Sequence, residues 1–173
     1  IYTGNLHKWL CAPKGAGFLY VRPEKQHLLE PLVVSWGWER DRGLEALSWV
    51  GTEDVSRYLA VPAALAFQRQ HDWPAVRRQC RALLTDALVQ LQNVTGLPSA
   101  YVNEDGYMQL AISPLPVGID PEAFKTRLHD DYHIEIPLTE HLGRPYLRIS
   151  VQGYNTKADL DALVDAVGEM LEG

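Results

Sequence analysis

The sequence predicts an α+β domain in which a small mixed or antiparallel sheet carries helices on one face. Three observations lead there. Stretches 133–138 and 146–151 alternate apolar and polar residues like two strands joined by a loop around Gly143. Apolar residues recur three and four apart from Val55 to Phe67, from Val76 to Leu91 and from Leu160 to Leu171, the stripe of a helix with one buried face. Read in order from residue 51, the elements run helix, helix, strand, helix, strand, strand, helix.

Residues 1–22 look instead like a piece of a larger sheet. Phe18-Leu19-Tyr20-Val21 reads as a buried strand, entered from the turn Pro13-Lys14-Gly15-Ala16-Gly17. Glycines placed before a strand are the wrong way round for a phosphate loop, which follows a strand and opens a helix. Glu24 to Leu32, containing Pro31, is a helical turn or connector. Val33-Val34-Ser35-Trp36-Gly37-Trp38 is too apolar to leave in water, so it folds onto a domain or lies at a subunit interface. A charged loop, Glu39-Arg40-Asp41-Arg42-Gly43, comes next.

The first helix of the domain is expected to start at Gly51-Thr52-Glu53-Asp54, with the Thr52 hydroxyl as N-cap and two acids in the first turn. It runs to about His71 with a kink at Pro62. Asp72 caps a second helix with Pro74 in its first turn, where a missing N–H costs nothing. Val76, Cys80, Leu83, Leu84, Ala87, Leu88 and Leu91 form its buried stripe, and Gly96-Leu97-Pro98 stops it. Tyr107 to Ile112 is a strand, and Asp120 caps a short helix bearing Phe124 and Leu128. In Thr156-Lys157-Ala158-Asp159 an acid takes the glutamate place of a capping box and opens the last helix.

At 173 residues and 46% hydrophobic, the chain is long enough to bury a core of its own. A formal charge of -6 argues against nucleic acid or an anionic membrane as partner, because no basic stripe exists for phosphate to meet. Cys11 and Cys80 lie far apart and the six histidines are scattered, so neither a disulfide framework nor a metal site is read here. No apolar run approaches the ~18 residues of a membrane span. The chain opens on Ile1 without a charged leader or signal segment, and a cytoplasmic location is expected.

The stretch richest in chemistry is Thr3-Gly4-Asn5-Leu6-His7-Lys8-Trp9-Leu10-Cys11-Ala12-Pro13-Lys14-Gly15-Ala16-Gly17. An ammonium drawn into apolar surroundings loses its charged form and becomes an amine able to form an imine with an aldehyde. The plainer reading of Lys8 is a partly exposed lysine lying over an aromatic ring. This stretch resembles the lysine segment of the class V aminotransferase family of pyridoxal-phosphate enzymes, and most closely its isopenicillin-N-epimerase-like branch. Two later stretches resemble the same family: Gly51-Thr52-Glu53-Asp54-Val55-Ser56-Arg57-Tyr58-Leu59-Ala60 and Leu147-Arg148-Ile149-Ser150-Val151-Gln152-Gly153-Tyr154-Asn155-Thr156.

The resemblance implies pyridoxal 5'-phosphate as cofactor, an amino acid as substrate, and Lys8 as the catalytic lysine holding the cofactor as a Schiff base, with His7 beside it. It implies that Gly51 and Thr52 reach across a homodimer to the cofactor phosphate of the other subunit, a role a helix N-terminus would suit. It also implies that Arg148 binds the substrate α-carboxylate through two parallel hydrogen bonds, which lysine would replace poorly. Taken without the resemblance, Thr52 is sufficiently explained as a cap and Arg148 as the outward residue of a half-buried strand.

On the same basis, residues 1–50 are the end of an α/β large domain and its connector, and 51–173 are the C-terminal small domain of a fold-type I transferase. The family's acid against the pyridine nitrogen, its stacked aromatic ring and its phosphate loop lie N-terminal to the lysine. Their absence makes this the C-terminal portion of a longer protein and the isolated fragment inactive. Epimerisation or transamination is the expected reaction, with a C–S lyase or cysteine desulfurase second, since neither Cys11 nor Cys80 is placed as a mobile nucleophile. The alternative from another class is a noncatalytic dimerisation or binding module.

Overall fold

The computed structural model describes residues 1–38 and 43–172, so the charged loop expected at 39–43 falls, except for Gly43, outside the described residues. The chain divides into two compact units, Ile1–Asp72 and Trp73–Gly173.

In the first unit, β1 (Tyr2–Asn5) and β2 (Gly17–Tyr20) form an antiparallel hairpin in which Tyr2 faces Tyr20 and Asn5 faces Gly17. The strand at Phe18–Tyr20 therefore exists, but Leu19 and Tyr20 are exposed rather than buried. A two-stranded ribbon has no second layer to cover its faces. A 3-10 turn at Pro23–Leu28 fills the connector, and the ring of Trp36 stacks on that of Trp49 at 5.6 Å.

The helix expected from Thr52 starts later and is divided. Its pieces are α1 (Ser56–Leu59) and α2 (Val61–Gln70), with Pro62 in the first turn of α2 instead of at a kink. Proline has no N–H to satisfy and belongs at a helix start. Thr52 lies ahead of α1; the Asp54 carboxylate accepts the Ser56 N–H at 2.8 Å. That bond holds the Asp54 carboxyl below its ordinary value.

The second unit is a three-stranded antiparallel sheet of β3 (Leu110–Pro114), β4 (Leu138–His141) and β5 (Arg144–Ser150), in the order β3-β5-β4, packed with three helices. Helix α3 (Trp73–Thr95) buries Cys80, Leu84, Ala87, Leu88 and Leu91, the stripe read from sequence, and stops before Gly96 at φ +67. Asp72 has φ +44, in the left-handed region, and not the extended backbone of the usual N-cap. The strand expected at 107–112 is displaced to β3 (Leu110–Pro114), because Tyr107 and Gln109 turn inward ahead of it; the Tyr107 ring is buried and Gln109 Nε2 donates to the Val151 carbonyl at 3.1 Å.

Helix α4 (Pro121–Asp130) is capped by Asp120, which accepts from the N–H groups of Glu122 and Ala123. The strand expected at 133–138 forms only at its end, as β4 (Leu138–His141). His133 has φ +58, which breaks extended backbone just after the helix. Strand β5 (Arg144–Ser150) turns back from β4 through Leu142 and Gly143, both at positive φ. Thr156 and Asp159 form the reciprocal cap of α5 (Lys157–Glu172): Thr156 N–H donates to the Asp159 carboxylate at 2.8 Å, and Asp159 N–H to the Thr156 hydroxyl at 3.4 Å.

Pro145, Leu147, Ile149 and Val151 point into the buried side of the sheet, and the last three share one core with Leu84 and Leu91 of α3, Leu128 of α4 and Leu163 and Val167 of α5. The even-numbered residues of β5 point the other way.

Candidate functional site

The end of the β1–β2 hairpin is a built loop. Leu6 N–H donates to Ala16 C=O and Ala12 N–H to Leu6 C=O, both at 3.0 Å, so the chain from His7 to Cys11 bulges out of a closed neck. Ala12 and Ala16 are buried in that neck. Within the bulge, Cys11 N–H donates to Lys8 C=O at 3.0 Å, a turn that sets Cys11 at φ +63.

Lys8 sits in this turn with both neighbours tied down. His7 Nδ1 lies 3.3 Å from Ala16 C=O, and since a carbonyl can only accept, Nδ1 carries the proton. On the other side, Trp9 C=O accepts from Gln68 Nε2 at 2.9 Å, and Gln68 is itself buried on α2. Lys8 is exposed, so the apolar enclosure expected from its neighbours is not provided by the described residues of this unit. His7 is half-buried.

Gly51 and Thr52 are exposed and belong to the same unit as Lys8. Gly51 has φ +120, a conformation that L side chains rarely adopt, and a Cβ built there would meet nothing within 4 Å. Arg57 joins the segment after them to the lysine hairpin. Its Cδ lies 2.9 Å from where a Cβ of Gly15 would stand, so Gly15 cannot be replaced without moving that side chain. Arg57 Nη1 donates to Asp54 C=O at 3.0 Å, and Nη2 donates to the Tyr58 hydroxyl at 2.7 Å and to the Glu53 carboxylate. The Tyr58 hydroxyl, followed by the charge of Glu53, raises the Arg57 pKa against the opposing effect of burial.

Arg148 lies on the outward side of β5 in the second unit, opposite Ile112 of β3. Its N–H donates to Pro137 C=O at 2.9 Å, and its guanidinium has no hydrogen-bond or ion-pair partner among the described residues. It lines a cleft of about 380 Å³ with Ser150, Asn155, Tyr132, His133 and Glu135. Asn155 is occupied in the turn before α5, where its Oδ1 accepts the Gln152 N–H at 2.9 Å.

Two residues in contact with the lysine hairpin escape a reading by motif. Gln68 shows in the sequence only as a polar residue inside an apolar helical stripe, and Arg57 only as a member of a longer matching stretch. Their roles depend on what they touch across the unit.

The model of the aminotransferase class-V family matches residues 1–163. Isopenicillin N epimerase of Amycolatopsis lactamdurans is 32% identical over 98% of this chain, and that of Streptomyces clavuligerus is 34% identical over 96% of it. The chain spans 46% of the length of each. Among solved structures, the cysteine desulfurase of Thermococcus onnurineus superposes with a TM-score of 0.78 at 20% identity, over 99% of this chain and 46% of that one, a likeness of fold. With a lysine hairpin, a Gly-Thr turn and an outward strand arginine all inside the matched span, the chain belongs to the class V aminotransferase family, whose enzymes depend on pyridoxal phosphate.

Proposed function

We propose that this chain is the C-terminal portion of a pyridoxal-phosphate enzyme acting on amino acids, with epimerisation or transamination as its reaction. Residues 1–50 would complete the large domain and 51–173 form the small one. The observation that carries the reading is Lys8, an exposed amine in a loop whose flanking residues are both hydrogen-bonded into the unit. The match to the two epimerases over nearly the whole chain favours epimerisation.

The residues present fit the cofactor. Lys8 offers an amine to an aldehyde. His7 stands beside Lys8 with Nδ1 donating to Ala16, and its Nε2 can donate to the phosphate only when the ring carries a proton on both nitrogens. The backbone at Gly51 is open on the side a Cβ would fill, and Gly51 with Thr52 supplies N–H and hydroxyl donors for a phosphate held at the partner subunit of a homodimer. When bound, the cofactor supplies an electron sink for negative charge at the substrate Cα.

The chain's own residues then have separate tasks. Arg148 holds the α-carboxylate through its planar fork, which fixes the direction of the Cα–H bond. Lys8 Nζ, as a free amine, would remove the Cα proton as a general base. Inversion then requires a second acid, supplied from outside this chain, to give a proton to the opposite face of Cα while Lys8 keeps the one it removed. We place the parent enzyme in the cytoplasm and expect the 173-residue chain alone to be inactive, since the groups assigned to it are the amine, the phosphate donors and the carboxylate arginine, and the acid against the pyridine nitrogen is not among them.

The test uses the full-length polypeptide. Borohydride reduction followed by peptide mapping should place the cofactor on Lys8, and a label on another lysine overturns the assignment. Incubation with a panel of L-amino acids in deuterated water, followed by NMR, should give deuterium at Cα with loss of chirality, or a keto acid if transamination is the reaction. Pyruvate or sulfide from cysteine derivatives would instead establish C–S bond cleavage.

A further inference from the structure

The lysine hairpin is fastened at two separate points, to α2 through Gln68 and to the segment after Gly51 and Thr52 through Arg57. The first is beside the lysine, where buried Gln68 donates to the carbonyl of Trp9 at 2.9 Å. The second is at the neck, where the shaft of Arg57 fills the space left by Gly15, with Nε 3.4 Å from the position of the missing Cβ. Arg57 Nε is buried there without an acceptor among the described residues. A buried N–H left unpaired is unfavourable, so the packing on Gly15 must repay it. Meanwhile the two terminal nitrogens hold the other side, through Asp54 C=O, the Glu53 carboxylate and the Tyr58 hydroxyl. The guanidinium carbon also lies 4.5 Å from the centre of the Tyr58 ring.

We propose that Gln68 and Arg57 are positioning residues that brace the Lys8 hairpin and the Gly51–Asp54 turn into one body, an inference that rests on the reading of Lys8 given above. A two-stranded hairpin is marginal on its own, and its loop would let a long side chain wander. Reaction at Lys8 requires the amine to be held to within fractions of an ångström. Gln68 restrains the residue next to Lys8. Arg57 makes the neck of the same loop move with the turn that presents Gly51 and Thr52.

Amide exchange on the full-length polypeptide tests this. Gln68→Met keeps the volume and never donates. Gln68→Glu keeps the shape, cannot donate as a carboxylate, and regains an O–H donor when protonated. The amides of Cys11 and Ala12 report the loop, because they donate to Lys8 and Leu6 carbonyls. After correction for intrinsic rates, both should exchange about 2- to 13-fold faster in Gln68→Met at every pH, and in Gln68→Glu near neutrality only, with recovery on acidification. In Arg57→Lys, which keeps the charge and loses the fork, Ala16 and Ser56 amides should loosen together. Protection of β1 and β2 shows whether the unit remains folded; if either Gln68 substitution unfolds it, Gln68→Asn, a shorter donor, is read instead for partial loosening.

Unchanged exchange at Cys11 and Ala12, equal pH behaviour of the Glu and Met variants, or loosening of one side alone in Arg57→Lys would overturn the brace. The exchange experiment is done on the full-length polypeptide without cofactor. A cofactor trapped elsewhere than Lys8 would therefore refute the functional reading and leave this result standing.

Discussion

The turn between β4 and β5 places two residues in the left-handed region, and only one of them is glycine. Leu142 has φ +51 and Gly143 φ +73, the pair of positive values that a two-residue hairpin turn of the I′ type needs. For a residue with a Cβ that backbone costs about 1–2 kcal/mol, and asparagine bears it better because its amide bonds locally. Leu142 is 92% exposed, so its side chain contributes almost no burial to offset the strain. Leu142→Asn should therefore stabilise the second unit by about 0.5–1 kcal/mol. That corresponds to about 2–8 °C in midpoint for a unit of this size.

Gly143→Ala should do the reverse by about 1–2 kcal/mol, since a Cβ there meets nothing within 4 Å and backbone strain is the whole effect. Leu142→Gly relieves the strain but adds freedom to the unfolded chain, about 0.5–1 kcal/mol, and should fall between the parent and Leu142→Asn. Urea denaturation, with exchange at Leu147 and Ile149 as the local reporter, gives the order. A Leu142→Asn variant no more stable than the parent, or a neutral Gly143→Ala, would refute the left-handed turn as the source of strain.

Leu147 is fully buried at the centre of the sheet, and Leu147→Ala should cost about 2–5 kcal/mol in denaturant titration, the loss of burial plus the cavity left behind. Asp159 has its carboxyl lowered, first by the Thr156 backbone N–H, so its stabilisation is present above the unfolded value near 3.8 and is lost as pH falls through the lower folded value. The stability gap between the parent and Asp159→Asn should accordingly be largest near neutrality and close in acid; a gap constant with pH would contradict the cap. In the proposed role the Arg148 fork addresses substrate and not cofactor, so in the full-length enzyme Arg148→Lys should weaken amino-acid binding by up to about 2–5 kcal/mol while leaving the cofactor spectrum unchanged. Equal affinity in titration would remove the carboxylate role.

Local chemistry made much of this legible. The stripe of α3, the Asp120 cap and the reciprocal Thr156–Asp159 cap each depend on residues a few positions apart, which the sequence displays directly. The same holds for the motifs around Lys8, Thr52 and Arg148, whose residue types and order identify the family. Where such a signal met a non-local contact, it shifted. The helix expected from Thr52 waits until Ser56, because Asp54 and Arg57 knit the preceding turn and Arg57 also packs on Gly15, far away in sequence.

Residue order and spacing alone determine α3, α4 and α5, the Asp120 and Thr156–Asp159 caps, and the choice of Lys8 as the candidate lysine. Tertiary structure decides what surrounds that lysine. The neck closed by Ala16, the Gln68 bond to Trp9 and the space at Gly15 join residues up to 59 positions apart. Such pairings leave no periodic trace, since each partner is chosen by the path of the backbone between them and not by its own neighbours. The exposure of Leu19, Tyr20 and Lys8 is of the same kind: an apolar run announces a face able to be buried, and only the packed chain determines whether another layer covers it.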